Sequence, residues 1–306
     1  MKKSRLKLLS LALLSSVALS GCYVDLGFIK FGEKPAESED SSKSQGQDTN
    51  AKDGEAEKYS GNYYTSIDDS LSGEQLLSAL RSLNSSKKKS EVGYKNMGTS
   101  SSGMFKFTDY DISDPSKLKK NADGQVYGTR ITSFYSGNTT ATFNREHVWP
   151  NTHGGHLVEN DIHMVRPTIV AENSARGHSF FIQGMQSTSN NGWDPAMESF
   201  GQESYRGDAA RIIFYCMIAT DQLTLTDDGS RSSRTNNYEM GVISDMISWN
   251  ASYPVLEREQ RRNSGAEYLQ GNRNPFVDHP EYACKIWGST NQKTKTACQK
   301  ANYPIN

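Results

Sequence analysis

The chain has no overall excess of positive charge. Its 306 residues carry 34 Lys and Arg against 35 Asp and Glu, a formal net charge of −1. Beyond residue 60 the balance persists, with 25 basic and 26 acidic residues. A polyanion would therefore have to be met by a local patch and not by the field of the whole molecule. Long hydrophobic runs are missing as well. The one marked apolar run, Leu8 to Leu19, is too short to span a bilayer. There is no internal repeat, no zinc-finger spacing and no His-Glu-x-x-His pattern of a helical zinc site. Cysteine is scarce, with four in all.

The chain begins with Lys2, Lys3, Arg5 and Lys7, followed by the apolar run and then Leu19-Ser20-Gly21-Cys22. A positive start and a short apolar core read as an export signal over residues 1–21. Leu-Ser-Gly-Cys resembles a bacterial lipobox, in which Cys22 is lipidated, with palmitate among the acyl chains, and becomes the mature N-terminus. The alternative is an ordinary secretory signal with an incidental cysteine. Two or more acyl chains anchor stably where one binds only marginally. Residues 31–60 hold 8 acidic and 4 basic residues and almost nothing apolar. Such a composition reads as tether, so the lipidated segment is 22–60 and the folded domain 61–306. A flexible 23–60 stretch spans roughly 35 Å root-mean-square, enough to hold a domain clear of a membrane. Cys284 and Cys298, 14 positions apart, can oxidise in an exported protein and then contribute about 3 kcal/mol. Cys216, inside the apolar stretch Ile212 to Ile218, reads as a small buried hydrophobe.

Local pattern gives a first helix with Ser72 and Gln75 as a capping box and Leu76, Leu77, Leu80 and Leu83 as its apolar stripe. Residues 86–103 read as a loop, with Lys87-Lys88-Lys89 solvated. Strand-like runs follow at Met104–Thr108, Gln125–Phe134 and Thr140–Phe143. Asp208–Gln222 and Glu239–Trp249 read as long, partly buried helices. The latter half is mainly helical and the middle mixes strands and turns.

Five of the six histidines fall between residues 147 and 178. The segment from Phe143 to Gly177 reads as strand, loop, strand and short helix, with Pro167 near the helix start and Gly177 as its stop. Glu146 and His147 are adjacent, and at a strand end they can flank one site. Asn173 sits in the middle of the short helix, where Asn does little for stability. A carboxylate and an amide oxygen are hard donors that suit Mg²⁺ or Ca²⁺. A neutral imidazole beside them can take a proton from water. Together these are parts for hydrolysing a phosphodiester.

Arg145-Glu146-His147-Val148-Trp149-Pro150, Asp161-Ile162-His163 and Glu172-Asn173-Ser174-Ala175-Arg176-Gly177 resemble the endonuclease I family. So do Arg206-Gly207-Asp208-Ala209-Ala210-Arg211 and Gly271-Asn272-Arg273-Asn274-Pro275-Phe276-Val277. The blocks run from about residue 143 to 278, and the flanking layout extends the likeness over most of 61–306.

The resemblance implies an α+β fold, with a ββα-metal (His-Me finger) core embedded in a mainly helical single domain. It implies His147 as the general base and Glu146 and Asn173 as ligands of one Mg²⁺, with Mn²⁺ or Ca²⁺ as substitutes. The implied activity is sequence-nonspecific cleavage of DNA, and of RNA as well, to 5′-phosphate products. Some family members carry an arginine between the histidine and the second strand. Here Asn151 to Asn160 holds none, which leaves Arg166 or Arg176 to stabilise the cleaved phosphate.

Other readings stand beside these. His163, spaced from Asp161 on one strand face, is expected to be structural or to support the site. His153 and His156 are expected to face solvent or substrate. Arg206 and Arg211 contact either phosphate or neighbouring carboxylates. The 274–277 block reads as packing. Three histidines around zinc is the rival metal site. A non-catalytic lipoprotein that binds nucleic acid or a protein partner is the rival function. No obligate protein partner is evident, and the expected state is a monomer held to a bacterial membrane on its periplasmic or outer face.

Overall fold

The computed structural model describes residues 53–186 and 192–305, and all of them fall within one compact unit. The export signal, Cys22 and the tether up to residue 52 lie outside the described residues. Among the described residues, no helix is long and apolar enough to cross a membrane.

The elements run α1 (Gly73–Lys87), α2 (Tyr94–Met97), β1 (Leu118–Lys120), β2 (Val126–Gly128), β3 (Ile131–Thr132), β4 (Thr139–Thr140), β5 (Asn144–His147), β6 (Val165–Thr168) and α3 (Val170–Arg176). They continue as α4 (Tyr205–Ala219), β7 (Thr224–Leu225), β8 (Glu239–Met240), α5 (Ile243–Ser252), α6 (Glu257–Gln270), α7 (Pro275–Asp278), α8 (Glu281–Trp287) and α9 (Gln292–Lys300). The strands form separate two-stranded pairs, of which β1–β2, β3–β4 and β5–β6 are antiparallel and β7–β8 is parallel. Helices and small sheets thus share one α+β unit whose latter half is helical, as expected.

The core is built around α4. From Tyr205 to Ile218 every residue of α4 is buried, as befits a helix apolar on most sides and wrapped by neighbours. Helices α1, α5 and α7 pack on it. The α1 stripe of Leu76, Leu77, Leu80 and Leu83 is buried as its spacing predicts. Ser72 does occupy the N-cap, but its side chain makes no capping hydrogen bond. The expected capping box is therefore absent, and burial of the leucines holds the helix instead. Cys284 and Cys298 form the expected disulfide between α8 and α9, and Cys216 is a buried free thiol.

Several local expectations give way. Met104–Phe107 is a 3₁₀ turn and not a strand. Apolar and polar residues alternate only over Phe105–Thr108, too short a run to separate the two periods. The Gln125–Phe134 run is broken at Thr129–Arg130 into β2 and β3. The 86–103 loop contains the short helix α2. Glu239 and Met240 form a strand on β7, so α5 starts only at Ile243.

The fold also begins earlier than composition implies. Glu55 bridges Leu256, and the Ala56 amide donates to the Val255 carbonyl at 2.8 Å. Asp53 lies 3.1 Å from Arg261. Residues 53–60 are ordered by backbone pairing and charge, which an inventory of apolar residues cannot reveal.

Candidate active site

β5 and β6 pair with Asn144 opposite Thr168, Glu146 opposite Arg166 and His147 opposite Val165. The chain turns back between them through residues 148–164, which hold two 3₁₀ turns. Gly154 takes φ 97°, and a Cβ on Gly155 would stand 2.0 Å from the Trp149 carbonyl. Helix α3 follows β6 directly and packs across β5. The strand, loop, strand, helix order read from the sequence is the order observed.

Glu146 and His147 leave β5 on opposite sides, as successive strand residues must. Glu146 points inward and is 2 % exposed. The Tyr135 hydroxyl donates to its Oε1 at 2.7 Å, and Arg176 Nε stands 3.7 Å from the same oxygen. Oε2 has no hydrogen-bond partner among the described residues. Burial pushes the Glu146 carboxyl up to about 7, against the opposing pull of Arg176 and of the Tyr135 hydrogen bond.

His147 is half-buried on the other side. Its Nε2 lies 3.4 Å from Glu159 Oε2, and its ring packs on Tyr94 with centroids 4.8 Å apart. Burial holds the imidazole below its usual value, opposed by Glu159 and reinforced by Arg176 and Arg145. The ring is therefore neutral at neutral pH. With Nε2–H donating to Glu159, Nδ1 carries the free lone pair.

Arg176 is fully buried at the end of α3. It donates to the carbonyls of Val148 at 2.7 Å and His147 at 3.4 Å, and stacks on Phe181 with 4.9 Å to the ring centroid. It thus ties α3 to the end of β5 beside Glu146. Asn173 lies three residues earlier, on the same side of α3, since positions i and i+3 are neighbours on a helix. Asn173 is partly exposed, and its side chain makes no hydrogen bond with any described residue. Its neighbour Glu172 is buried and accepts from Ser133 at 2.7 Å and Thr168 at 3.2 Å, which pins α3 against the 133–136 turn.

Arg166 stands apart. It is buried between Asp109 (2.9 Å) and Asp208 (3.1 Å) and lies over the Phe134 ring. Two carboxylates occupy its guanidinium, so it serves the core and does not reach a phosphate. The α4 arginines resolve the same way, Arg206 pairing with Asp194 at 2.7 Å and Arg211 with Glu259 at 2.6 Å.

His153 is wholly buried between Asn237 and the His178 carbonyl, and so does not face solvent or substrate. His156 is exposed. His163 lies with Asp161 in the turn before β6 and not on a strand face; it is buried, bonded to the Asn272 carbonyl at 3.0 Å and tilted against the Tyr215 ring, which is a structural place. Among the described residues, no group of three or more His, Cys, Asp or Glu could hold a metal ion.

The endonuclease I family model matches residues 72–281, more than half of the chain and all of this site. The chain belongs to the endonuclease I family. It is 34 % identical over 168 residues to an extracellular ribonuclease of Bacillus amyloliquefaciens and equally to one of Bacillus subtilis (strain 168). Each match covers 50 % of this chain and 56 % of the relative, so the chain spans about half the length of these curated relatives. In this endonuclease I family member, three residues at the site escaped sequence reasoning. Tyr135, Glu159 and Tyr94 reach it from separate segments, and no spacing rule links them to the Glu146–His147 pair.

Proposed function

We propose that the protein is an exported, lipid-anchored, metal-dependent endonuclease that hydrolyses phosphodiester bonds without reading sequence. The observation that carries this reading is the Glu146–His147 pair, with Glu146 held by Tyr135 on one oxygen and without a partner on the other, and His147 set against Glu159. We read β5, β6 and α3 as a ββα-metal core. The residues fit a hard divalent cation. Glu146 would offer Oε2 and Asn173, one helical turn before Arg176, a side-chain amide with no hydrogen-bond partner among the described residues, with water for the remaining positions. Mg²⁺ suits this donor set, with Mn²⁺ or Ca²⁺ as substitutes. When bound, the cation supplies Lewis-acid stabilisation of charge on the phosphate and the leaving 3′-oxygen.

The protein's own groups do the rest. His147 Nδ1 accepts the proton of a water as its oxygen attacks phosphorus. Glu159 keeps Nε2–H in place and stabilises the imidazolium that forms. Arg176 fixes the backbone of His147 and Val148 and offsets the buried charge of Glu146, so we assign it a positioning role. Loss of the 3′-oxygen leaves a 5′-phosphate. Nothing in this apparatus touches a base, which suits DNA and RNA alike, and the extracellular ribonucleases among the relatives support RNA as a substrate. Export and anchoring rest on the N-terminal signal and Cys22, and we take the working unit to be a monomer.

The test is digestion of supercoiled plasmid and of a structured RNA with Mg²⁺, with EDTA, and with His147→Ala. We expect cleavage of both substrates, complete loss in EDTA, and loss of most turnover in a folded His147→Ala protein. Wild-type cleavage by His147→Ala, or cleavage unaffected by EDTA, would overturn the reading.

A further inference from the structure

We propose that Arg145, held over the Tyr94 ring beside His147, binds a nucleic-acid phosphate next to the scissile one. The inference rests on the nuclease reading above and adds to it a substrate-contacting residue. Arg145 and His147 alternate onto the same side of β5, roughly 7 Å apart along the strand. Both side chains meet Tyr94: the Arg145 guanidinium carbon is 3.9 Å from its ring centroid, and the His147 ring centroid is 4.8 Å away. Arg145 Nη1 also donates to the Tyr94 carbonyl at 3.1 Å. Tyr94 is itself fixed, because its amide donates to Asn160 Oδ1 at 3.0 Å, next door to Glu159.

Charge singles Arg145 out. Among the described residues, Arg234 is the only other arginine without a carboxylate within 4.0 Å. The buried arginines therefore serve the core, while Arg145 remains partly exposed with an uncompensated charge at the edge of the site. With Nη1 held by the Tyr94 carbonyl and Cζ over the ring, the Nε and Nη2 N–H groups have no partner among the described residues and are held in a fixed place. That geometry matches two phosphate oxygens. It also gives a chain of balanced net charge the local positive contact that its composition withholds.

The test is binding of a fluorescent 20-base-pair duplex to the full-length protein in a His147→Ala background with Mg²⁺, followed by anisotropy from 50 to 200 mM salt. Adding Arg145→Ala is expected to lower the slope of log K against log salt by about 0.9 and to weaken binding equally for unrelated sequences. Arg145→Gln, which removes the charge but keeps an N–H donor for the Tyr94 carbonyl, is expected to give the same loss while preserving the fold. Arg145→Lys is expected to retain the slope. If both neutral variants keep the parent slope while folded by circular dichroism, Arg145 only secures α2 and the inference fails. That failure is distinct from failure of the nuclease reading, which would appear as a wild-type protein that leaves the same duplex uncut with Mg²⁺.

Discussion

Replacing Tyr135 by Phe removes one oxygen from a wholly buried ring and leaves its packing against Phe134 and Trp193 in place. That oxygen makes the 2.7 Å hydrogen bond to Glu146 Oε1. Tyr135 also adopts φ 74°, a conformation unfavourable for a bulky residue, so the surrounding structure must hold it there. A hydrogen bond to a charged acceptor contributes about 1.5–3 kcal/mol, which bounds the expected loss of stability. Because the phenol favours the charged carboxylate, its removal shifts Glu146 further above about 7 and reduces the charged fraction at neutral pH. Loss of a partner that orients a metal-binding carboxylate typically weakens metal affinity or activity about 10–100-fold. We therefore expect Tyr135→Phe to need at least about tenfold more Mg²⁺ for half-maximal cleavage, read by hyperchromicity of DNA. Urea unfolding on the same samples checks the stability. An unchanged Mg²⁺ requirement would refute the claim that Tyr135 presents Glu146 to a cation.

Burial holds His163 down at about 4 from an ordinary 6.5, so the unfolded chain binds this proton more readily than the native one. The stability this group contributes is complete above pH 6.5 and falls away toward pH 4, by about 3 kcal/mol in all. The difference in urea stability between wild type and His163→Gln, followed from pH 7 to 4, should show that slope, and a flat difference would contradict it. Asp109 is shared by Arg166 at 2.9 Å and Arg262 at 3.2 Å. Asp109→Asn should cost about 3–5 kcal/mol in chemical denaturation by leaving buried guanidinium charge uncompensated, and a loss below 1 kcal/mol would count against the network.

The parts of the site that lie close along the chain are legible in the amino-acid order alone. The Glu146-His147 pair, the return strand and the helix carrying Asn173 and Arg176 follow from one contiguous stretch, with Gly177 as the helix stop, whereas Pro167 pairs with Arg145 inside β6 and does not mark the helix start. What stays hidden depends on long-range pairing. Nothing near Arg166 signals that Asp109 and Asp208 will take up its charge, and so its expected phosphate role does not survive. Arg206 and Arg211 likewise find Asp194 and Glu259 from distant segments. His153 sits in a Gly-rich loop, yet the fold of that loop buries it against Asn237. Residues 53–60 look like tether because they are polar, but their backbone and charges find partners along the start of α6. The helices are legible where an apolar stripe is long, as in α1 and α4. Pattern fails at their ends, where a cap or a two-residue strand decides the boundary.

Cleavage at this site, as proposed, requires one cation that meets Glu146 and Asn173 beside His147. Anomalous diffraction from crystals soaked in Mn²⁺ measures this directly. The expected result is a single peak bonded to Glu146 Oε2 and Asn173 Oδ1 at about 2.1 Å, with water in the remaining positions and His147 unbonded. A peak ligated by His147, or one that leaves Asn173 uncoordinated, would contradict it.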